Sequence, residues 1–193
     1  MKRFSVSIAA SALMLTVAAT GAHANEQVEA LTNLGKTKFP AWVNSPEVIS
    51  HIKKQNAKNS GLSESEIIAL DKQWRAETDA GSRPLIDEVL GNSLSNYLRD
   101  VKDQSAGTYT EIFVMDSVGL NVGQSDVTSD YWQGDEAKWK KTYLEGAGAI
   151  HVGDIEMDES TQEFQAQVSV PVVDPDSGNV IGAVTVGVNV DAL

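Results

Sequence analysis

The chain of 193 residues contains no cysteine, which excludes disulfides, thiolate chemistry and an anchor lipid on an N-terminal Cys. Histidine is nearly as scarce: of three, only His51 and His151 lie beyond residue 24. Neither a Gly-x-Ser-x-Gly elbow nor a His-x-x-x-His pair occurs, so nucleophilic and zinc-dependent catalysis lack their usual parts. Basic residues are few, 15 against 27 acidic, for a formal charge of −12. Such a surface repels nucleic acid and anionic lipid.

Long hydrophobic runs are absent too. The one apolar stretch, Val6 to Ala19, is too short to span a bilayer. With Lys2 and Arg3 before it and Ala22-His23-Ala24 after it, it reads as a secretory leader (residues 1–24) cut after Ala24. The cut removes two basic residues, leaving 13 basic against 27 acidic, or −14. A periplasmic protein with no stable membrane insertion is the expectation.

Several motif fragments fail. Gly35-Lys36-Thr37 lacks the upstream glycine of a phosphate loop, where Ala30 stands. Gly146-Ala147-Gly148 lacks the third glycine of a dinucleotide loop. Asp174-x-Asp176 is out of register with a calcium loop and reads as a solvated turn. No metal and no cofactor are therefore expected. The many acids read as a solvated face, and the chain is not expected to be an enzyme.

Helical signals come first along the chain. Glu26 to Leu34 is a weak start. Ser45-Pro46-Glu47 combines a cap, a proline in the first turn and an acid at the positive dipole end. Ser63-Glu64-Ser65-Glu66 is a capping box, and its helix runs to about Thr78. Pro84 opens a third helix whose apolar period continues to Val101. After Gly107 the pattern becomes β-rich. Strands are expected at Thr108–Met115, Leu120–Gly123, Ala149–Met157, Gln162–Val173 and Val180–Val190. Turns fall at Asp116–Gly119, Asp158–Ser160 and Asp174–Gly178, and a helix at Gly134–Tyr143. The fold class is α+β, with N-terminal helices packed on a five-stranded antiparallel sheet. Residues 25–83 form a helical region and 84–193 the sheet domain. Pro171, Gly182 and Gly187 inside the last strands indicate a curved sheet, hence a concave one.

The segment from Asp130 to Tyr143 concentrates two Trp and two Tyr among charges of both signs. Such a mixture suits a pocket that desolvates a small polar ligand. Phe113-Val114-Met115-Asp116-x-x-Gly119, Asp130-Tyr131-Trp132 with Trp139, Val170-Pro171-Val172 and Gly178…Ile181-Gly182 follow one another in an order that resembles the Cache (PDC, PAS-like) extracytoplasmic sensor domains. The resemblance covers residues 84 to 193. This sequence has Gly134-Asp135-Glu136 where many relatives carry an Arg shortly before the Trp.

The resemblance implies a ligand between the sheet and the segment linking its second and third strands. Tyr131, Trp132 and Trp139 are candidates to stack on it, and Asp130 and Asp135 to pair with an amine. Arg75 is the candidate for a carboxylate, while Trp74 reads as core. Asp116 is either a contact or a turn residue. Gln165 and Gln167 share one strand face, lining the cavity or facing water. Trp139 and Tyr143 serve the ligand or the core. The function these imply is a soluble periplasmic sensor for an amine, amino-acid-like or organic-acid ligand, relaying to a membrane receptor or histidine kinase. The alternatives are an adaptor module without a small ligand and a carboxylate hydrolase.

Overall fold

The computed structural model describes residues 17–157 and 164–193. Among these residues, seven α-helices, α1 (Val17–Thr37), α2 (Pro40–Val43), α3 (Pro46–Asn59), α4 (Glu64–Thr78), α5 (Pro84–Leu90), α6 (Ser93–Gln104) and α7 (Ala137–Lys140), accompany one antiparallel sheet. Its strands are β1 (Tyr109–Met115), β2 (Asn121–Gln124), β3 (His151–Val152), β4 (Glu156–Met157), β5 (Phe164–Val173) and β6 (Val180–Asn189). The order is β2-β1-β6-β5-β3, with β4 also on β5. Most of the leader and the turn expected at Asp158–Ser160 lie outside the described residues; α1 runs through Ala24 without a break. No helix among the described residues is long and apolar enough to cross a membrane.

The helix starts follow the signals in the chain. Ser45 caps α3 through Val48 N–H, and Ser63 and Glu66 close a reciprocal box on α4. The third helix is broken. Gly91 ends α5, and the Asn92 side chain accepts from Ser95 N–H to start α6 afresh. The single strand expected at Ala149–Met157 is two short ones, because Gly153 N–H bonds Gln167 O where the ladder ends. The sheet therefore has six strands rather than five. The helix expected at Gly134–Tyr143 shrinks to the single turn α7.

The sheet has two unlike faces. Ile112, Val114, Val168, Val170, Val184 and Val186 alternate onto the helical side and pack with Leu31, Phe39, Ile52, Leu94 and Leu98. A second cluster joins α4, α5 and the aromatic segment through Trp74, Ile86 and Tyr131.

Glu77 ties α4 to α5. Its carboxylate accepts from Gln73 Nε2 at 2.8 Å and from Leu85 and Ile86 N–H at 2.8 and 3.0 Å, capping the α5 N-terminus. Burial alone would raise its pKa; the donors outweigh burial and hold it below the ordinary carboxylate range. Its stabilising contribution is thus complete above the unfolded pKa of about 4.3 and lost as pH falls through the lower folded value. Glu77→Ala should cost about 2 kcal/mol at pH 7, and the difference from the parent should shrink toward pH 3 in urea titrations.

Candidate functional site

The outer face of the sheet, opposite the helical core, carries polar side chains in rows. Glu111, Gly187 and Gln167 stand side by side on β1, β6 and β5. Because Gly187 has no side chain, Glu111 crosses β6 and accepts from Gln167 Nε2 at 2.8 Å. A Cβ at Gly187 would lie 2.7 Å from Glu111 Cγ. The next row is Phe113, Thr185, Ser169 and His151, with Ser169 and Thr185 hydroxyls 2.9 Å apart and fully buried. Thr110 donates to Gln165 Oε1 at 2.8 Å. A sheet face meant only for a protein core would be apolar here, since each buried polar group needs a partner.

Among the described residues, only part of that face is covered. Trp139 lies on Phe113, Met115 and Ala183, with Tyr143 stacked on it at 4.7 Å. Next to α7 the cover stops. A hollow of about 380 Å³ opens there, lined by Glu136, Lys138, His151, Asp154, Gln165 and Gln167, among others. Lys138 Nζ sits 2.9 Å from Glu136 Oε2 and 5.4 Å from the Phe113 ring centre, facing a carboxylate and a π-face together. Burial pushes the Glu111 carboxyl above its ordinary pKa, against the Gln167 N–H and the Lys138 charge. Burial, then the Lys141 charge, holds the His151 imidazole below its ordinary value, so at pH 7 it offers one donor and one acceptor. The hollow thus presents a cation, carboxylates, amides and a neutral imidazole, a set suited to holding a small polar molecule. No group of three or more His, Asp or Glu side chains among the described residues is placed to hold a metal ion.

The sequence-derived candidates separate. Gln165 lines the hollow, and Trp139 packs beside it as cover for the sheet. Asp135 is exposed on the approach to α7. Tyr131 turns to the helical side instead and stacks on Trp74 at 5.1 Å. Trp132 is half-buried in the same cluster, its indole N–H on Val118 O. Asp130 and Arg75 meet each other: Arg75 donates to Asp130 at 3.1 Å and to Asp71 at 2.7 Å, while Asp71 accepts from Tyr131 and Trp132 N–H. These contacts clamp the aromatic segment to α4. Asp116 is fully buried, and its carboxylate accepts from Val118 and Leu120 N–H and from Gln55 and Asn59 side-chain amides. Gln167, paired in the sequence reading with Gln165, lines the hollow with it, whereas Glu111, Lys138 and His151 line or floor the site without having been singled out as site residues. Glu111 carried a signal: period-two alternation puts it on the face of Phe113 and Met115.

No family model matches the chain, and no curated protein matches it. Solved structures do. The sensor domain of the V. cholerae histidine kinase DctB is similar with TM-score 0.44 and 12% identity over 90% of this chain and 57% of that one. The E. coli DcuS sensor domain gives 0.49 and 14%, over 86% and 93%. The sensory domain of the Campylobacter jejuni chemoreceptor Tlp3 with isoleucine bound gives 0.37 and 11%, over 89% and 60%. The chain spans about three fifths of the DctB and Tlp3 domains.

Proposed function

We propose that this chain is a Cache-type extracytoplasmic sensor that binds a small molecule carrying an amine and a carboxylate in the hollow beside α7. The observation that carries this is the polar sheet face left open where Trp139 ends its cover. Lys138, four residues beyond Gly134, supplies the cation for the carboxylate. Glu136 and Asp154 receive the amine, and the Gln165 and Gln167 amides read the remaining polar groups. A membrane receptor or histidine kinase is the partner that such a binder informs.

Thermal melts of the full chain with amino acids, amines and small organic acids test the reading. A ligand at a hundred times its Kd stabilises by about 2.7 kcal/mol, a shift of about 5–10 °C for a chain of this size. Lys138→Ala should abolish the shift and leave the circular dichroism spectrum unchanged. A flat response to all three classes would remove the proposal.

A further inference from the structure

A cleft of about 410 Å³ lies on the helical side, between α2, the later turns of α6 and the start of β1. Helical spacing puts Tyr97, Asp100, Val101 and Gln104 on one stripe of α6, at i, i+3, i+4 and i+7. Trp42 from α2 and Tyr109 from β1 bring two more rings to the wall. Phe39 is fully buried behind them, its ring centre 5.8 Å from that of Trp42 and 5.7 Å from that of Tyr109. Tyr97 and Tyr109 pack against the core yet stay partly exposed along the cleft.

The charge around this aromatic wall has one sign. No basic side chain lines the cleft among the described residues. The cations on the same helix are engaged elsewhere. Lys102 Nζ meets the Asp126 carboxylate at 2.6 and 2.7 Å, and Arg99 donates to Leu90 O and the Asn96 side chain. Asp100, in contrast, makes no ion pair among the described residues. The cleft also sits at the carbonyl end of α6, whose dipole adds negative potential. Aromatic rings beside a carboxylate favour an organic cation.

Hydrogen-bonding capacity narrows the class. Ser105 Oγ is already committed, donating to Lys102 O at 2.6 Å and accepting from Tyr109 N–H at 2.9 Å. A primary ammonium brings three donors that need acceptors, whereas a fully methylated one brings none. Trp42 adds a demand of its own. It is only 9% exposed, and its indole N–H meets no acceptor at hydrogen-bonding geometry. Burial raises the pKa of the neighbouring Tyr109 hydroxyl against the influence of that N–H, so the phenol stays neutral. An oxygen on the ligand answers the indole.

We propose that this cleft is a second ligand site, taking a methylated ammonium compound that carries a hydroxyl. The ammonium lies among the Trp42, Tyr97 and Tyr109 rings beside Asp100, and the hydroxyl oxygen accepts from the Trp42 N–H. The site is independent of the hollow beside α7.

Calorimetric titration of the full chain with choline tests it. The comparators are the uncharged isostere of choline with carbon in place of nitrogen, ethanolamine, and tetramethylammonium, which lacks the hydroxyl. Choline should bind, and each comparator should bind about five-fold more weakly or worse. Asp100→Asn, at an exposed position, should weaken choline about three-fold. Tyr97→Leu should weaken it about five-fold. Lys138→Ala should leave it unchanged, so the two sites fail or stand separately. No binding of choline, a comparator of equal affinity, parental affinity in either cleft variant, or loss in Lys138→Ala would each overturn the assignment.

Discussion

Asp116→Ala should lower the stability of the chain by about 4 kcal/mol, seen as a fall of roughly 8–16 °C in melting temperature. The carboxylate is fully buried and answers donors from two directions. Oδ1 accepts from Val118 and Leu120 N–H, both at 2.9 Å, and so shapes the β1–β2 turn. Oδ2 accepts from Gln55 at 3.0 Å and Asn59 at 2.8 Å, and so docks α3 on that turn. Alanine strands all of these donors in a place water does not reach. Asp116→Asn sharpens the test. Its amide must point one N–H₂ at a set of donors whichever way it turns, so it should cost about 2–3 kcal/mol despite its matching shape. A loss below 1 kcal/mol in urea titrations of either variant would contradict this account.

Gly119→Ala should cost about 3 kcal/mol or more. Gly119 adopts φ 86°, which disfavours any side chain. An added Cβ would also lie 2.4 Å from Gly134 Cα and 2.5 Å from Gly134 N. That closeness is built in: Gln133 N–H donates to Gly119 O at 2.7 Å and Asn121 N–H to Tyr131 O at 3.0 Å, zipping the turn to the aromatic segment. Gly146→Ala separates the two causes. It shares the positive φ, at 95°, but a Cβ there meets nothing within 4 Å, so it should cost only about 1 kcal/mol. Equal melting temperatures for the two variants would show that the close approach carries no weight.

What could be read in the chain was local. Ser45, Ser63 and Glu66 announce helix starts because a cap is satisfied by its own next turn. Asp174 to Gly178 marks the β5–β6 hairpin for a similar reason; Gly178 takes φ 73°. The break at Gly91-Asn92 was hidden because the apolar period continues on both sides of it. The site was harder. Tyr131, Trp132 and Trp139 are close in sequence, but Gly134 sits against Val118 O and turns the chain between them. Tyr131 goes to the helices and Trp139 to the sheet. Glu111 meets Gln167 only across an intervening strand, a relation that no single stretch reveals. Arg75 and Asp130 answer each other, a pairing across 55 positions.

Asp116 has one more contact. Its backbone carbonyl accepts the Trp139 indole N–H at 3.0 Å, while its side chain is gripped by the Gln55 and Asn59 amides of α3. One turn thus holds α3 on one side and the Trp139 cover of the sheet on the other. A substitution that disturbs this turn would therefore be felt on two layers of the fold at once, at the α3 dock and at the indole next to Lys138.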